Sequence, residues 1–269
     1  MTEQTAVAKA QSSPISKLKS VLSADSVKEQ FQNVLKAESG AFIGSIIDLY
    51  GSDTYLQKCA PNAVILECLK AASLKLPINK NLGFAFIVPY KDIPQFQIGY
   101  KGIIQLSLRT GQFKYLNAGC IYEGQEVERN HLKGTVKILG KATSQVATGY
   151  FCYMELNNGF SKAVAITREE ADAHGKKYSK AYQYDIANNV KKCPWSTNFD
   201  SMGKKTTVLM LKTYFPMTIE MAQILAEQDE EEAMAEIEEN GNTGEIIEMV
   251  VEDVTEEAPA EGTTKKAPF

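Results

Sequence analysis

The chain has 269 residues, of which 44 % are hydrophobic and 23 % are charged, the balance of an ordinary globular protein. No apolar run approaches the roughly 18–20 residues that a membrane span needs, which excludes a membrane-spanning protein. The N-terminus lacks the apolar segment of a secretory signal, and the five cysteines include no CxxC pair. This cysteine usage argues against a disulfide framework or a zinc ribbon and predicts a protein of the reducing cytoplasm.

The net charge of −4 hides a strong asymmetry along the chain. Residues 221–269 contain fifteen acidic residues and two lysines, whereas the 220 residues before them contain 18 acidic and 27 basic ones. A basic body with an acidic tail is typical of a domain that binds a polyanion and carries a regulatory or partner-binding appendage.

The first part of the chain is predicted to be helical after a polar, flexible arm over residues 1–24. Ser26 and Glu29 have the spacing of a capping box, which predicts that the first helix begins there. A second apolar stretch ends at Gly51. A third helix is predicted to begin after Pro61, because proline is favoured in the first turn of a helix.

The pattern changes to strands in the middle of the chain. The segments FAFIVPY (84–90) and QFQIGY (95–100) predict a hairpin, and KGIIQLSLRTG (101–111) predicts a short amphipathic helix that ends at a glycine. The Asn-Asn-Gly segment at 157–159 predicts a hairpin turn between two further strands, since Asn-Gly tolerates positive φ. The remaining strands are predicted over 113–122, 134–140, 146–156 and 160–166.

Helices return after these strands. Thr167 and Glu170 have the spacing of a second capping box, which opens a short helix that is predicted to end at Gly175. Residues 175–194 are rich in Lys and Tyr and predict a long loop, a kind of segment that is usually functional or disordered. A long helix over 196–214, a last helical segment over 218–228 and an acidic, disordered tail over 229–269 complete the prediction.

This order of elements predicts an α+β fold. N-terminal helices come first, then a central antiparallel hairpin and sheet with a short helix, and then a long C-terminal helix, which differs from a repeating βαβ pattern. One folded domain is expected over residues 25–228, between the arm and the tail.

No catalytic site is predicted. The chain has only two histidines and lacks a GxSxG elbow and both phosphate-binding loops, GxxxxGK[ST] and GxGxxG, which disfavours nucleophilic catalysis and an ATP-driven recombinase or helicase. Glu170 and His174 would share a helix face where a metal could bind, but a solvated salt-bridging face explains them better. Glu123, Glu126 and Glu128 could form a carboxylate cluster, and an exposed turn is again the better explanation. We therefore predict no enzyme activity, no metal and no cofactor.

A basic segment with interleaved aromatic residues is the strongest functional signal. Lysines neutralise phosphates while tyrosine rings or Trp195 stack on bases, although Trp195 would equally fit a packing role at a helix start. Only three of the 29 basic residues are arginine, so little base-specific readout is expected. A solubilising lysine surface is the alternative. The candidate DNA contacts in this segment are Lys176, Lys177, Lys180, Lys191, Lys192, Trp195, Lys204 and Lys205.

Two blocks of the sequence carry more specific motifs. GFAFIVPYKDIPQFQIGYKGIIQLSLRTGQF (83–113) combines a hairpin, a Gly-Tyr-Lys-Gly turn and a short helix, and CPWSTNFDSMGKKTTVLMLKTYFP (193–216) combines Pro-Trp, Lys-Lys-Thr and a final proline. Together with the helical ECLKAASLKLPI (67–78), these blocks resemble the RecT family of phage and prophage single-strand annealing proteins. The likeness extends in order over residues 25–220.

The resemblance implies an ATP-independent recombinase that coats single-stranded DNA, anneals complementary strands to a duplex and promotes strand exchange as a ring or filament of many copies. It implies a phage 5′→3′ exonuclease and the host single-strand-binding protein as partners, in the cytoplasm of a bacterial host and without a membrane. By matching position, the implied DNA contacts are Tyr100, Lys101, Arg109, Lys204 and Lys205. A coating protein without annealing activity is the first alternative, and a metal-dependent, structure-specific nuclease is the second.

Overall fold

Four helices form the N-terminal part of the structure, a computed structural model that describes residues 13–130 and 132–241. Leu18 and Leu22 of the first helix are buried in the main core. The flexible arm predicted over residues 1–24 is therefore corrected from Pro14 onward, and residues 1–12 lie outside the described residues. The helices are α1 (Pro14–Leu22), α2 (Asp25–Leu35), α3 (Ser39–Ser52) and α4 (Pro61–Ser73).

Capping residues explain two of these helix starts. The Ser13 side chain accepts a hydrogen bond from the backbone N–H three residues later (3.2 Å), and Pro14 lies in the first turn of α1. Pro61 lies in the first turn of α4, as predicted. The capping box predicted at Ser26 is wrong, because α2 begins one residue earlier and its N-cap, Ala24, makes no side-chain hydrogen bond.

The structure confirms the predicted hairpin and the short helix after it. The two strands pair antiparallel with Pro89 opposite Pro94. Lys91 and Asp92 join them with φ values of 46° and 65°, the positive values that a two-residue hairpin turn needs. The elements are β1 (Ala85–Tyr90), β2 (Ile93–Ile98) and α5 (Tyr100–Arg109).

The remaining strands are β3 (Phe113–Tyr122), β4 (Gln125–Asn130), β5 (Thr135–Gly140), β6 (Ala147–Leu156) and β7 (Ser161–Thr167). β6 lies between β3 and β7 in an antiparallel sheet, and β4 and β5 pair as a separate hairpin. Gly159 has a φ of 85° in the turn between β6 and β7, which confirms the predicted Asn-Gly turn. The exposed turn expected for Glu126 and Glu128 is wrong, since both residues lie in β4.

A helical hairpin, not a long loop, occupies most of residues 175–194. The first helix of this hairpin starts with the predicted capping box, in which the Thr167 hydroxyl accepts from the N–H of Glu170 (3.1 Å) and Glu170 accepts from the N–H of Thr167 (2.7 Å). This helix continues through Gly175 to Tyr178. Gly175 is buried, and a Cβ at this position would come within 2.9 Å of the indole of Trp195. The glycine is thus a packing residue inside the helix. The two helices are α6 (Arg168–Tyr178) and α7 (Lys180–Ala187).

The last part of the chain also differs from the prediction. The long helix expected over 196–214 is interrupted at Asn198, whose φ of −145° and ψ of 60° are not helical. The final helix extends well beyond residue 228, so residues 229–241 are helical where a disordered tail is predicted, and residues 242–269 lie outside the described residues. One compact unit ends at Gln228, and a second begins at Asp229. The helices are α8 (Pro194–Thr197), α9 (Phe199–Met210) and α10 (Ile219–Gly241).

The helices and antiparallel strands confirm the α+β class. Two hydrophobic clusters hold these elements together. The larger cluster joins the N-terminal helices, the β1–β2 hairpin and α5 to one face of the central sheet. The smaller one includes Tyr150, Ile166 and Trp195 and joins the sheet to the C-terminal helices. Gly203 of α9 lies directly on the ring of Tyr150, where any Cβ would collide, so α9 approaches the sheet closely.

Candidate nucleic-acid interface

A cleft of about 390 Å³ lies between the α6–α7 hairpin and α9. One wall is a stripe of α9 with helical spacing, formed by Met202, Lys205, Thr206 and Leu209. The facing wall consists of His174, Gly175, Tyr178, Ser179, Lys180, Ala181, Cys193, Pro194 and Trp195. The cleft therefore combines two lysines with aromatic and apolar walls.

Trp195 packs the helices around the cleft. It is only 5 % exposed, and its ring stacks on Tyr182 with centroids 5.8 Å apart and planes inclined by 22°. Phe199 contacts it edge-on at 5.4 Å, and Gly175 packs on the indole. Of the two roles that the sequence leaves open, packing is the one for which the structure shows contacts, and base stacking by Trp195 stays a prediction.

Lys205 has the clearest electrostatic signature in the cleft. Its side chain is half-buried, and this burial lowers the pKa of the ammonium group. No carboxylate of the described residues forms an ion pair with it, and its Nζ lies 5.7 Å from the centroid of the Tyr100 ring. A charge held partly out of water without a counter-ion is unfavourable, and a bound phosphate would compensate it. Lys205 is therefore placed to receive an anion.

Two glycines place Tyr100 beside α9. A Cβ on Gly99 or Gly102 would collide with a carbonyl oxygen of the segment that leads into β1, and the N–H of Gly99 donates to the carbonyl of Phe84 at 3.0 Å. Only glycine allows the start of α5 to approach that backbone so closely. The glycines of the Gly-Tyr-Lys-Gly motif thus have a packing role, while Tyr100 contacts Lys205 and Lys101 is exposed to solvent.

A polar cluster fixes the start of α9 next to Lys204. Asp200 accepts hydrogen bonds from the Tyr150 hydroxyl (2.6 Å) and from the Arg168 guanidinium (2.8 Å). These bonds lower the pKa of Asp200, and burial raises the pKa of Tyr150. Arg168 forms the ion pair with Asp200, and the charge of Lys204, one turn further along α9, also lowers the pKa of Asp200.

Lys176 and Lys177 lie on the exposed side of α6 and have local partners. Lys176 forms an ion pair with Asp172 one turn earlier (2.5 Å), and the Lys177 ammonium lies 5.0 Å from the centroid of the Tyr178 ring. Tyr178 is 57 % exposed and lines the cleft. Such exposed pairs contribute little stability, so a phosphate can replace these partners at small cost.

A buried carboxylate fixes the loop that carries Lys191 and Lys192. Asp185 of α7 is 3 % exposed and accepts hydrogen bonds from the backbone N–H groups of Cys193 (2.9 Å) and Lys192 (2.8 Å). These bonds hold the pKa of Asp185 far below its usual range. The sequence analysis missed this role, because one aspartate among lysines gives no local signal. Both lysine side chains are exposed.

Arg109 has a structural role that its family position does not reveal. Its guanidinium donates hydrogen bonds to the carbonyl oxygens of Leu74 (2.7 Å) and Lys75 (3.0 Å), which follow the end of α4. These carbonyls lack helical partners, and a cation near a helix C-terminus is favourable. In the structure Arg109 forms a capping contact between α5 and α4, and the DNA contact that the resemblance implies for it stays a prediction. It lies at the opposite end of α5 from Tyr100.

The carboxylates considered as metal ligands have other partners. Glu170 accepts hydrogen bonds from Arg129 (3.0 Å), which lower its pKa, and Glu123 accepts from the hydroxyl of Ser144 (2.7 Å). Within residues 13–130 and 132–241, no group of three His, Cys, Asp or Glu side chains is arranged to hold a metal ion. In the same residues, no helix combines the length and the apolar character that crossing a membrane requires.

The family model of the RecT family matches residues 40–243, which include the β1–β2 hairpin, α5 and every residue of the cleft. The chain belongs to the RecT family. It is 39 % identical over 250 residues to the uncharacterized protein YqaK of Bacillus subtilis (strain 168), an alignment that covers 91 % of this chain and 84 % of that protein. It is 26 % identical over 186 residues to Protein RecT of Escherichia coli (strain K12), which covers 65 % and 66 % of the two chains.

Membership of the RecT family confirms the resemblance found in the sequence motifs. A RecT family protein is a single-strand annealing and recombination protein that binds single-stranded DNA and associates with itself. RecT family proteins are annealing proteins that are not known as enzymes in the catalytic sense.

Proposed function

We propose that this RecT family protein is an ATP-independent recombinase that binds single-stranded DNA through the α6–α9 cleft, anneals complementary strands and promotes strand exchange. The observation that carries the proposal is Lys205, a half-buried ammonium without a carboxylate partner in the described residues, in a cleft that Lys180 also lines. The chain contains no GxxxxGK[ST] loop, so no nucleotide-driven step enters the proposal.

In this mechanism the protein binds the phosphates, and base pairing between the two DNA strands recognises the sequence. Lys205 and Lys180 bind phosphates in the cleft, and Lys204 and Lys101 extend the contact along α9 and α5. Lysine ammonium groups are point charges that do not read base edges, so the bases remain free to pair with a second strand. Watson–Crick pairing then selects the complementary sequence, and the protein contributes charge and shape.

Tight binding requires many copies on one strand. Each cleft contacts only a few nucleotides, and neighbouring subunits on the same strand make the second and later contacts intramolecular, which raises the overall affinity. We therefore include a large homo-oligomer, a ring or a helical filament, in the proposal. The family also suggests a phage 5′→3′ exonuclease that supplies the single strand and the single-strand-binding protein of the bacterial host as partners in the cytoplasm.

The first test mixes two complementary fluorescent oligonucleotides with and without the protein, in EDTA and without nucleotide. Faster pairing, together with a large particle whose size depends on DNA, is the expected result. Binding that slows pairing would instead assign a coating role. Cleavage that appears only when a divalent metal is added would indicate a nuclease, and absence of binding would mean that the lysines form a solvated surface.

A further inference from the structure

An exposed pair of aromatic rings lies outside the cleft. Phe160 follows the turn between β6 and β7, and Tyr214 ends the 3-10 turn after α9. Each side chain is 43 % exposed, and the two ring centroids are 6.1 Å apart with planes inclined by 31°. Large aromatic side chains that are exposed next to each other are uncommon on a surface that has no ligand, because burying them is favourable.

A lysine completes this cluster. The Lys162 ammonium lies 5.0 Å from the centroid of the Tyr214 ring and forms no ion pair with a carboxylate of the described residues. The turn between β4 and β5 holds it in place, since the N–H of Ala163 donates to the carbonyl of Gly134 at 3.0 Å. Gly134 has a φ of 61°, and a Cβ there would collide with the Lys162 ammonium. The lysine is thus a positioned charge rather than a mobile surface group.

Two exposed rings and one unpaired ammonium match the chemistry of a nucleic acid with unpaired bases. A ring face stacks on any base, and the ammonium neutralises the adjacent phosphate. In a duplex, the base faces are covered by neighbouring base pairs, so only the phosphate contact remains. The cluster therefore has the chemistry that separates single strands from duplexes, whereas the cleft lysines bind the phosphates of either.

The cluster is separate from the cleft but lies on the same stretch of chain. Tyr214 follows Lys205 by nine residues and lies beyond the end of α9 at Met210. None of Phe160, Lys162 and Tyr214 lines the cleft.

We propose that Phe160, Lys162 and Tyr214 form a second DNA contact, a stacking site for unpaired bases of single-stranded DNA. This inference rests on the proposed function, since it adds a single-strand-selective contact to the phosphate-binding cleft. The alternative is that a second copy of the chain covers this aromatic patch, and the test distinguishes a DNA contact from a subunit contact.

The test uses the full chain and two readouts. In the first, an oligothymidylate that contains 5-iodouracil is cross-linked by light to the wild-type protein, and the attached residues are mapped by mass spectrometry. In the second, affinities for an oligothymidylate and for a duplex of the same length are measured for wild type, the double variant F160S/Y214S and the ring-preserving variant Y214F. Light scattering without DNA reports self-association, and thermal melting reports folding.

The expected result is a cross-link at Phe160 or Tyr214 and a loss of about tenfold in single-strand affinity for F160S/Y214S, with little change for duplex or for Y214F. Wild-type single-strand affinity in the folded double variant would overturn the inference while leaving the proposed function intact. The inference would also be overturned, with the proposed function intact, if the cross-links avoid both rings and the double variant loses only its self-association in the absence of DNA. That result would assign the patch to a contact between subunits. If wild type binds no DNA, the proposed function and this inference both fail.

Discussion

Replacing Lys205 by methionine separates a DNA-binding role from a structural one. Methionine keeps the length of the side chain and has a similar helix propensity, so α9 should form as before. Burial lowers the pKa of Lys205, which means that its charged form is disfavoured in the folded protein. Removing this charge should therefore leave the free energy of unfolding unchanged or raise it. If Lys205 served only the fold, its replacement would instead lower the free energy of unfolding.

The expected loss of DNA affinity depends on salt in a calculable way. Each phosphate contact to a single strand contributes about −0.7 to the slope of log K against log salt. Losing one contact per subunit therefore makes the slope shallower by about 0.7, and the defect of the variant should shrink roughly 2.6-fold between 50 and 200 mM salt. The weakening should apply to all sequences alike, because lysine does not read base edges.

The salt dependence of DNA affinity is measured by fluorescence anisotropy with a labelled oligonucleotide at several salt concentrations. The stability is measured by thermal melting of the free protein. Lys17→Met is a matched control, since Lys17 is exposed on α1 in the N-terminal helices and its loss should change neither. A salt slope equal to that of wild type would remove Lys205 from the interface. Reduced stability with unchanged affinity would assign it to the fold instead.

Three further predictions follow from the packing and the polar contacts. Gly102→Ala should destabilise the protein by about 1–3 kcal/mol in denaturant unfolding, because its Cβ would collide with a backbone carbonyl; unchanged stability would contradict the close approach. Arg109→Ala should cost about 1–2 kcal/mol of stability through the lost hydrogen bonds, with single-strand affinity retained once the protein is folded, and a weaker salt slope would restore Arg109 to the interface. The pKa of Asp200 is lowered in the fold, so its contribution is present above the unfolded pKa of about 4 and is lost as the pH falls through the folded value. The difference in melting temperature between wild type and Asp200→Asn should therefore shrink below about pH 4, and a constant difference would be inconsistent with this.

Local signals predicted the elements whose ends are fixed by nearby residues. The β1–β2 hairpin, the turn at Gly159 and the capping box at Thr167 each depend on contacts within a few residues, and all three are confirmed. Ser26 shows the limit of such signals. It has capping-box spacing, but α2 begins at Asp25, and the helix starts without a side-chain cap at Ala24.

Long-range packing decided what the local signals missed. Gly175 looks like a helix terminator, yet α6 runs through it, because the glycine makes room for an indole twenty residues later in the sequence. Trp195 likewise packs against Tyr182, which is the role that the sequence leaves open beside base stacking. The pairing of Tyr100 with Lys205 joins two signature blocks that are about a hundred residues apart, and no spacing rule predicts it.

The arginines of the described chain show why lysine is left to bind DNA. Arg109 caps the end of α4, Arg129 pairs with Glu170, and Arg168 pairs with Asp200 at the start of α9. The planar guanidinium, which in an interface would read guanine through two hydrogen bonds, here binds partners within the same chain. Lysines then provide the charge of the proposed DNA contacts. A protein that must pair any two complementary strands gains from this division, since base-reading contacts would favour some sequences and would occupy the edges that have to pair.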